Sequence, residues 1–225
     1  MDESHYLVPT ATLDFDHPEV MSFIEEHTSD GSHARDNSVA LYYAVRDLFR
    51  YDPYRIELTV PGIRASATLE KGYGWCVSKA VLLAACCRGA GIPARLGFGD
   101  VRNHLSTSRM REWMQTDIFY WHGFTEILLE GRWLKATPAF NLALCKRFRI
   151  SPLEFNGVAD SIFHPFDEDG NRHMEYVNGR GHFADLPLEQ IRKTFASKYK
   201  KLIGHESSNF ENDVNQENSF KVSST

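Results

Sequence analysis

Apolar residues recur at helical spacing through the first third of the chain. Pro18 opens a segment that Asp16 or His17 can cap, with Val20, Phe23 and Ile24 on one face and an end near Ser29-Asp30-Gly31. Asp36 or Asn37 can cap a second helix whose broad apolar face is Val39, Tyr42, Tyr43, Val45, Leu48 and Phe49. Tyr51-Asp52-Pro53 stops it, because the residue before a proline is pushed out of the helical region. Arg64 to Leu69 reads as a short connection that can hold one helical turn. It leads into Gly72-Tyr73-Gly74-Trp75-Cys76, after which Val77 to Arg88 is apolar nearly all round, as expected of a helix buried in the middle of a domain. Gly89 and Gly91, followed by Pro93, end it.

Strand patterns come next. Ala94 to Val101 alternates, and Ile118 to Leu129 with Arg132 to Phe140 flank the hairpin signal Glu130-Gly131. From Cys145 onward loops with short elements are expected, then a last helix over Leu188 to Leu202. Helices followed by strands predict an α+β domain, not an alternating α/β one. The expected division is a single domain over residues 1–203, with 204–225, rich in Ser, Asn and Glu, as a disordered tail.

At 225 residues the chain buries roughly 70% of its unfolded surface, so no disulfide or metal is needed for stability. The net charge of -5 with no basic stripe argues against nucleic acid as a partner. The N-terminus is acidic where a secretion signal needs positive charge, and no apolar run reaches 18 residues. A cytoplasmic protein without membrane contact is therefore expected. Four cysteines, Cys76, Cys86, Cys87 and Cys145, form neither a C-x-x-C pair nor a zinc spacing, so free thiols are expected. Cys86 and Cys87 lie inside the apolar run and read as buried structural thiols.

Cys76 stands apart. It sits where a glycine-rich turn becomes a helix, and the free N–H groups and dipole there stabilise a thiolate, an effect expected to bring its pKa towards neutrality. A nucleophilic thiolate wants an imidazole as base and later as acid, and His122 on the first arm of the hairpin can supply it. Trp75 and Tyr73 can frame the thiol, and His104 stands in a polar loop after a core strand. His164, His173, Glu175, His182 and Asp185 gather in the last third, but their spacings match no zinc signature, so neither metal nor cofactor is expected. A metal-dependent hydrolase built on that cluster would instead tolerate loss of Cys76.

Gly74-Trp75-Cys76, the helix ending Arg88-Gly89-Ala90-Gly91-Ile92-Pro93-Ala94-Arg95, His122-Gly123-Phe124-Thr125-Glu126 and Gly131-Arg132-Trp133 together resemble the transglutaminase-like superfamily. The resemblance covers about Tyr73 to Phe140. It implies a papain-like core, with N-terminal helices, a buried helix starting at the nucleophile and an antiparallel sheet. It also implies a Cys76 thioester formed on an amide or ester carbonyl of a peptide, protein or small amide. Hydrolysis is favoured over cross-linking, because the cross-linking animal enzymes are longer and calcium-dependent. The family's third segment, Trp then Asp-Pro, here reads Trp133-Leu134-Lys135-Ala136-Thr137-Pro138, so Thr137 takes the place of the aspartate that orients the histidine. Three outcomes stay open: Thr137 suffices; Asn141, Asp160 or Asp185 reaches in; or the domain is a catalytically silent protein- or peptide-binding module. Residues beyond Asn141, among them His164-Pro165-Phe166-Asp167 and His173-Met174-Glu175-Tyr176, resemble a bacterial subgroup of the same superfamily. Substrate identity and oligomeric state stay open at this level.

Overall fold

The computed structural model describes residues 3–104, 106–163, 170, 173–199 and 209–222. Helix α1 (Pro18–His27) starts at Pro18 with the His17 ring accepting from the Glu19 N–H, and buries Val20, Phe23 and Ile24. Helix α2 (Ala34–Leu48) begins earlier than its polar residues suggest, with His33 at the N-cap. The Asn37 carboxamide, expected to cap it, instead accepts from the Ser29 N–H. Two short helices follow, α3 (Val60–Ile63) and α4 (Ala65–Lys71), the second running through the Arg64 to Leu69 connection for which a single turn was expected.

Helix α5 (Cys76–Gly89) is the axis of the domain, buried from Cys76 to Arg88 and flanked by α1, α2, α4 and the sheet. Two cations lie inside it, and both end on backbone carbonyls. The Lys79 ammonium donates to Arg46 O, Phe49 O and Ala139 O at 2.9, 2.8 and 2.9 Å. Arg88 donates to Ala94 O, Val8 O and Ala184 O. Lys79 thus ties the end of α2 and the loop after Thr137 to the first turn of α5.

The main sheet has the order β5-β4-β3-β6, antiparallel throughout, from β3 (Ala94–Asn103), β4 (Ile118–Leu129), β5 (Arg132–Ala136) and β6 (Met174–Phe183). Glu130 and Gly131 both adopt positive φ, 51° and 75°, as a two-residue hairpin turn between β4 and β5 requires. Thr125 donates to Ala80 O at 2.9 Å, so Thr125, with Gly123 and Ile127, faces α5. The alternate residues His122, Phe124 and Glu126 take the outer face. A separate two-residue parallel ladder, β1 (Arg50–Tyr51) with β2 (Tyr73–Gly74), sets the turn before Cys76 beside Tyr51.

Helix α6 (Ser108–Met114) lies between β3 and β4 in sequence, and α7 (Leu142–Phe148) follows β5. The last third holds more order than the sequence predicts. Strand β6 occupies a stretch read as irregular, and α8 (Leu188–Lys198) forms where a helix was expected. In place of a structureless tail, α9 (Phe210–Val222) docks through Phe210 and Val214. Phe210 packs edge-on against Tyr51 and Tyr54, and Asp213 accepts from the Tyr54 hydroxyl at 2.8 Å. Phe210 and Val214 are two apolar anchors one turn apart, with polar residues between them.

Candidate active site

Cys76 opens α5, so the first N–H groups of the helix have no intrahelical partner and lie at the sulfur. Trp75 is the N-cap in extended conformation, and its own N–H donates to the Ser78 hydroxyl at 3.0 Å, which fixes the turn. β4 places His122 on the wall of the cavity that Cys76 also lines. Gly123, the next residue, packs against the helix start so closely that a Cβ there would stand 3.0 Å from Val77 Cα. The Gly123 N–H consequently points at the Cys76 sulfur. Trp121, on the other side of His122, has φ 61° at a bulge between β3 and β4. The Asp100 carboxylate holds that bulge by accepting from the Trp121 N–H at 3.1 Å and from Arg180. A non-glycine residue in the left-handed region costs on the order of 1 kcal/mol, and bulges of this kind re-aim a neighbouring side chain. Here that neighbour is His122.

Cys76 and His122 are 8% and 4% exposed and line one cavity of about 20 Å³, room for about one water. Its other walls are apolar or aromatic, including Tyr51, Trp75, Phe195 and Tyr199, with Met110 and Met114 from α6. In so dry a site, burial pushes the Cys76 thiol up to about 11, against the opposite pull of the Gly123, Val77 and Cys76 N–H groups. Burial likewise pushes the His122 imidazole down to about 3. The expectation of a near-neutral thiol is corrected here: desolvation outweighs the helix terminus, and the resting pair is thiol plus neutral imidazole.

The third member is less regular. Extending the β4–β5 register by one step sets Thr137 opposite Phe124, so His122 is its diagonal neighbour, about 7–8 Å away. A threonine side chain does not span that gap. His122 Nε2 is buried without a hydrogen-bond partner, and the Thr137 hydroxyl faces Tyr176. The Thr137 backbone is nevertheless held firmly, its carbonyl accepting from the Tyr42 hydroxyl at 3.2 Å. Asn141 does not reach His122, because its side chain accepts from the Tyr51 N–H at 3.2 Å. Asp160 accepts from the Lys135 N–H, and Asp185 from the Thr10 and Thr12 hydroxyls. None of the three proposed substitutes for the aspartate is at the imidazole.

Trp75 lines the cavity, as expected, whereas Tyr73 does not and instead lies under the Arg55 guanidinium at 5.0 Å. His104 pairs with Glu175 at 3.6 Å, about five residues or roughly 16 Å along β3 from the position facing His122. The described members of the C-terminal cluster are spread out. His173 packs against Phe140 and Phe163, Glu175 pairs with Arg102 and His104, and His182 stands near Glu126. Among the described residues no group of three or more could hold a metal, and His164-Pro165-Phe166-Asp167 lies outside the described residues.

Sequence reasoning missed Tyr176. It is 40% exposed overall, yet its ring lies 6.2 Å from the His122 ring and its hydroxyl is directed towards Thr137 and the Phe163 N–H. Burial of that hydroxyl raises its pKa. Gly99 makes the approach possible, since a Cβ there would stand 3.3 Å from the Tyr176 ring and 3.2 Å from Asn178 O. Nothing in the sequence singles out this tyrosine among nine.

A cysteine at a helix N-terminus and a histidine on the adjoining antiparallel strand define a cysteine–histidine site on an α+β core. The chain matches the transglutaminase-like superfamily core over residues 22–138, more than half its length, and it belongs to that superfamily. Two solved structures resemble it in part. A candidate cysteine protease from Cytophaga hutchinsonii is 18% identical, with a TM-score of 0.48 over 61% of this chain and 42% of that one. A candidate protease from Parabacteroides distasonis ATCC 8503 is 16% identical, with a TM-score of 0.39 over 60% of this chain and 26% of that one. The chain thus spans less than half the length of either. A comparison with curated proteins finds no match. No helix among the described residues is long and apolar enough to cross a membrane.

Proposed function

We propose that the protein is a cysteine-dependent acyl-transfer enzyme, acting as a hydrolase on amide or ester substrates, with Cys76 as nucleophile and His122 as general base and acid. The observation that carries this reading is the shared cavity: thiol and imidazole line one dry pocket, with the Gly123 N–H held at the sulfur. In the resting pair, proton transfer from thiol to imidazole runs uphill. Burial favours the neutral form of both groups, and that sets the uphill direction. The thiolate therefore forms as the substrate carbonyl is attacked, with the proton passing to His122 in the same event. His122 then returns that proton to the leaving amine or alcohol. Unpaired N–H groups at the start of α5 supply oxyanion stabilisation. Water, activated by the neutral imidazole, completes hydrolysis of the Cys76 thioester.

The aromatic and methionine walls would contact an apolar acyl group once they part to admit it, since the closed cavity holds about one water. A second reading, a binding module without turnover, draws on the gap between Thr137 and His122. A panel of 4-nitrophenyl esters and peptide 4-nitroanilides tests the two. Turnover by wild type that is lost in both Cys76→Ala and His122→Gln supports the enzyme. Turnover by none, with binding intact in Cys76→Ala, supports the module and overturns the enzyme.

A further inference from the structure

A cavity of about 520 Å³ lies on the outer sheet face, lined by Phe124 and Glu126 of β4, next along the strand from His122. It is a trough along β3, where Gly97 and Gly99 carry no side chain opposite Phe124 and His122. The Phe124 ring fills the space over Gly97, and Tyr176 that over Gly99. Tyr176 is thus common to both sites: it lines the trough and its ring approaches His122. Ile162 also lines the trough, and its neighbour Phe163 lies 5.0 Å from the His122 ring. The charges of this trough are uneven. Glu126 is held by Arg95 at 2.5 Å, and Arg95 itself stacks on Trp133 at 4.0 Å. Lys135, directly across from Glu126 in the β4–β5 ladder, has no carboxylate within ion-pair distance among the described residues. Its ammonium leans over the Phe124 ring at 5.6 Å, towards His122. Phe124 and His122 are two residues apart on one strand, about 7 Å.

We infer that this trough is a substrate subsite for a carboxylate on an apolar body, with Lys135 as the anion-binding residue and Phe124, Ile162 and Val177 as the apolar wall. This rests on the proposal that Cys76 and His122 form the reacting pair, and it narrows the substrate to acyl compounds bearing a negative group one or two residues from the scissile carbonyl. The geometry does not distinguish a peptide C-terminus from an acidic side chain, since either brings the same carboxylate to Lys135.

The test is equilibrium binding by isothermal titration of three probes, N-acetyl-Ala-Phe, its C-terminal amide, and N-acetyl-Glu-Phe-amide. The titrations use wild type, Cys76→Ala, Lys135→Gln and Lys135→Arg, each checked for native circular dichroism. The expected result is a preference of about tenfold or more for the free acid over the amide in wild type and Cys76→Ala. That preference should survive in Lys135→Arg and fall to near unity in Lys135→Gln. If N-acetyl-Glu-Phe-amide matches the free acid, the site reads a side-chain carboxylate as well; if it binds like the neutral amide, the site reads a C-terminus. Equal binding of acid and amide to wild type, a preference that persists in Lys135→Gln, or no binding at millimolar concentration overturns the subsite. The two proposals fail separately: acylation of Cys76 without the preference leaves the reacting pair standing, and the preference without acylation leaves a binding trough.

Discussion

The dry setting of His122 has a consequence that equilibrium unfolding can measure. Its imidazole is pushed down to about 3 in the folded protein and returns to an ordinary value near 6.5 when the chain unfolds. A group with a depressed folded pKa contributes stability that is present above the unfolded value and lost as pH falls towards the folded one. The window therefore runs from about pH 6.5 down to about pH 3. At pH 4.5 the unfolded imidazole is protonated and the folded one is not, so two pH units separate the working pH from the unfolded pKa. That is about 3 kcal/mol of lost stability from this one residue. In His122→Gln the side chain keeps a similar shape and does not titrate. Urea denaturation of both proteins at pH 7 and pH 4.5 isolates the contribution, because the other titrating groups cancel in the difference. The wild type is expected to lose about 3 kcal/mol more than the variant between the two conditions. A difference that stays constant with pH would refute the reasoning and place His122 in contact with solvent or with a negative charge.

Other perturbations bear on the same framework. Lys79→Met strips a donor from three buried carbonyls, and with about 1–3 kcal/mol for each unsatisfied acceptor the net loss in urea denaturation at pH 8 is expected to be about 2–4 kcal/mol. An unchanged midpoint would contradict the bracing role. Gly123→Ala forces a methyl to within 3.0 Å of Val77 Cα, and the expected cost is about 1–3 kcal/mol together with loss of Cys76 reactivity; retention of both by this variant would mean that strand and helix are not held as tightly as described. Thr137→Asp adds a carboxylate on the diagonal from His122, too far to hydrogen-bond it but able to raise its basicity through the dry interior, so alkylation of Cys76 by iodoacetamide at pH 7 should accelerate about tenfold or more. No acceleration would show that position 137 does not influence His122.

The fold, and the places of Cys76 and His122 in it, were legible for a physical reason. A buried helix, a hairpin turn and a glycine-flanked cysteine each leave a local pattern, and Cys76, His122 and Trp75 fell where those patterns set them. What the pattern could not carry was desolvation. The charge preference of a helix terminus is written in the sequence, but the aromatic walls that overrule it come from Tyr51, Phe195 and Tyr199, distant from Cys76 along the chain. Tyr176 was invisible for a related reason. It sits on β6, an edge strand exposed over most of its length, which has no apolar alternation to reveal it. Lys79 looked like an interruption in an apolar run, and its three carbonyl partners lie on segments 30, 33 and 60 residues away. Helix α9 was missed because two anchors, Phe210 and Val214, do not make a pattern among polar neighbours.

The most direct measurement of the central claim is trapping of the acyl-enzyme. Wild type, Cys76→Ser and His122→Gln are mixed with a slowly hydrolysed apolar acyl donor such as 4-nitrophenyl cinnamate, quenched in acid, and mapped by intact and peptide mass spectrometry. The account predicts one cinnamoyl group on Cys76 in the wild type, none on Cys86, Cys87 or Cys145, and a loss of at least about a hundredfold in acylation rate in His122→Gln. Acylation spread over several cysteines, or an adduct on Cys76 that forms equally fast without His122, would contradict it.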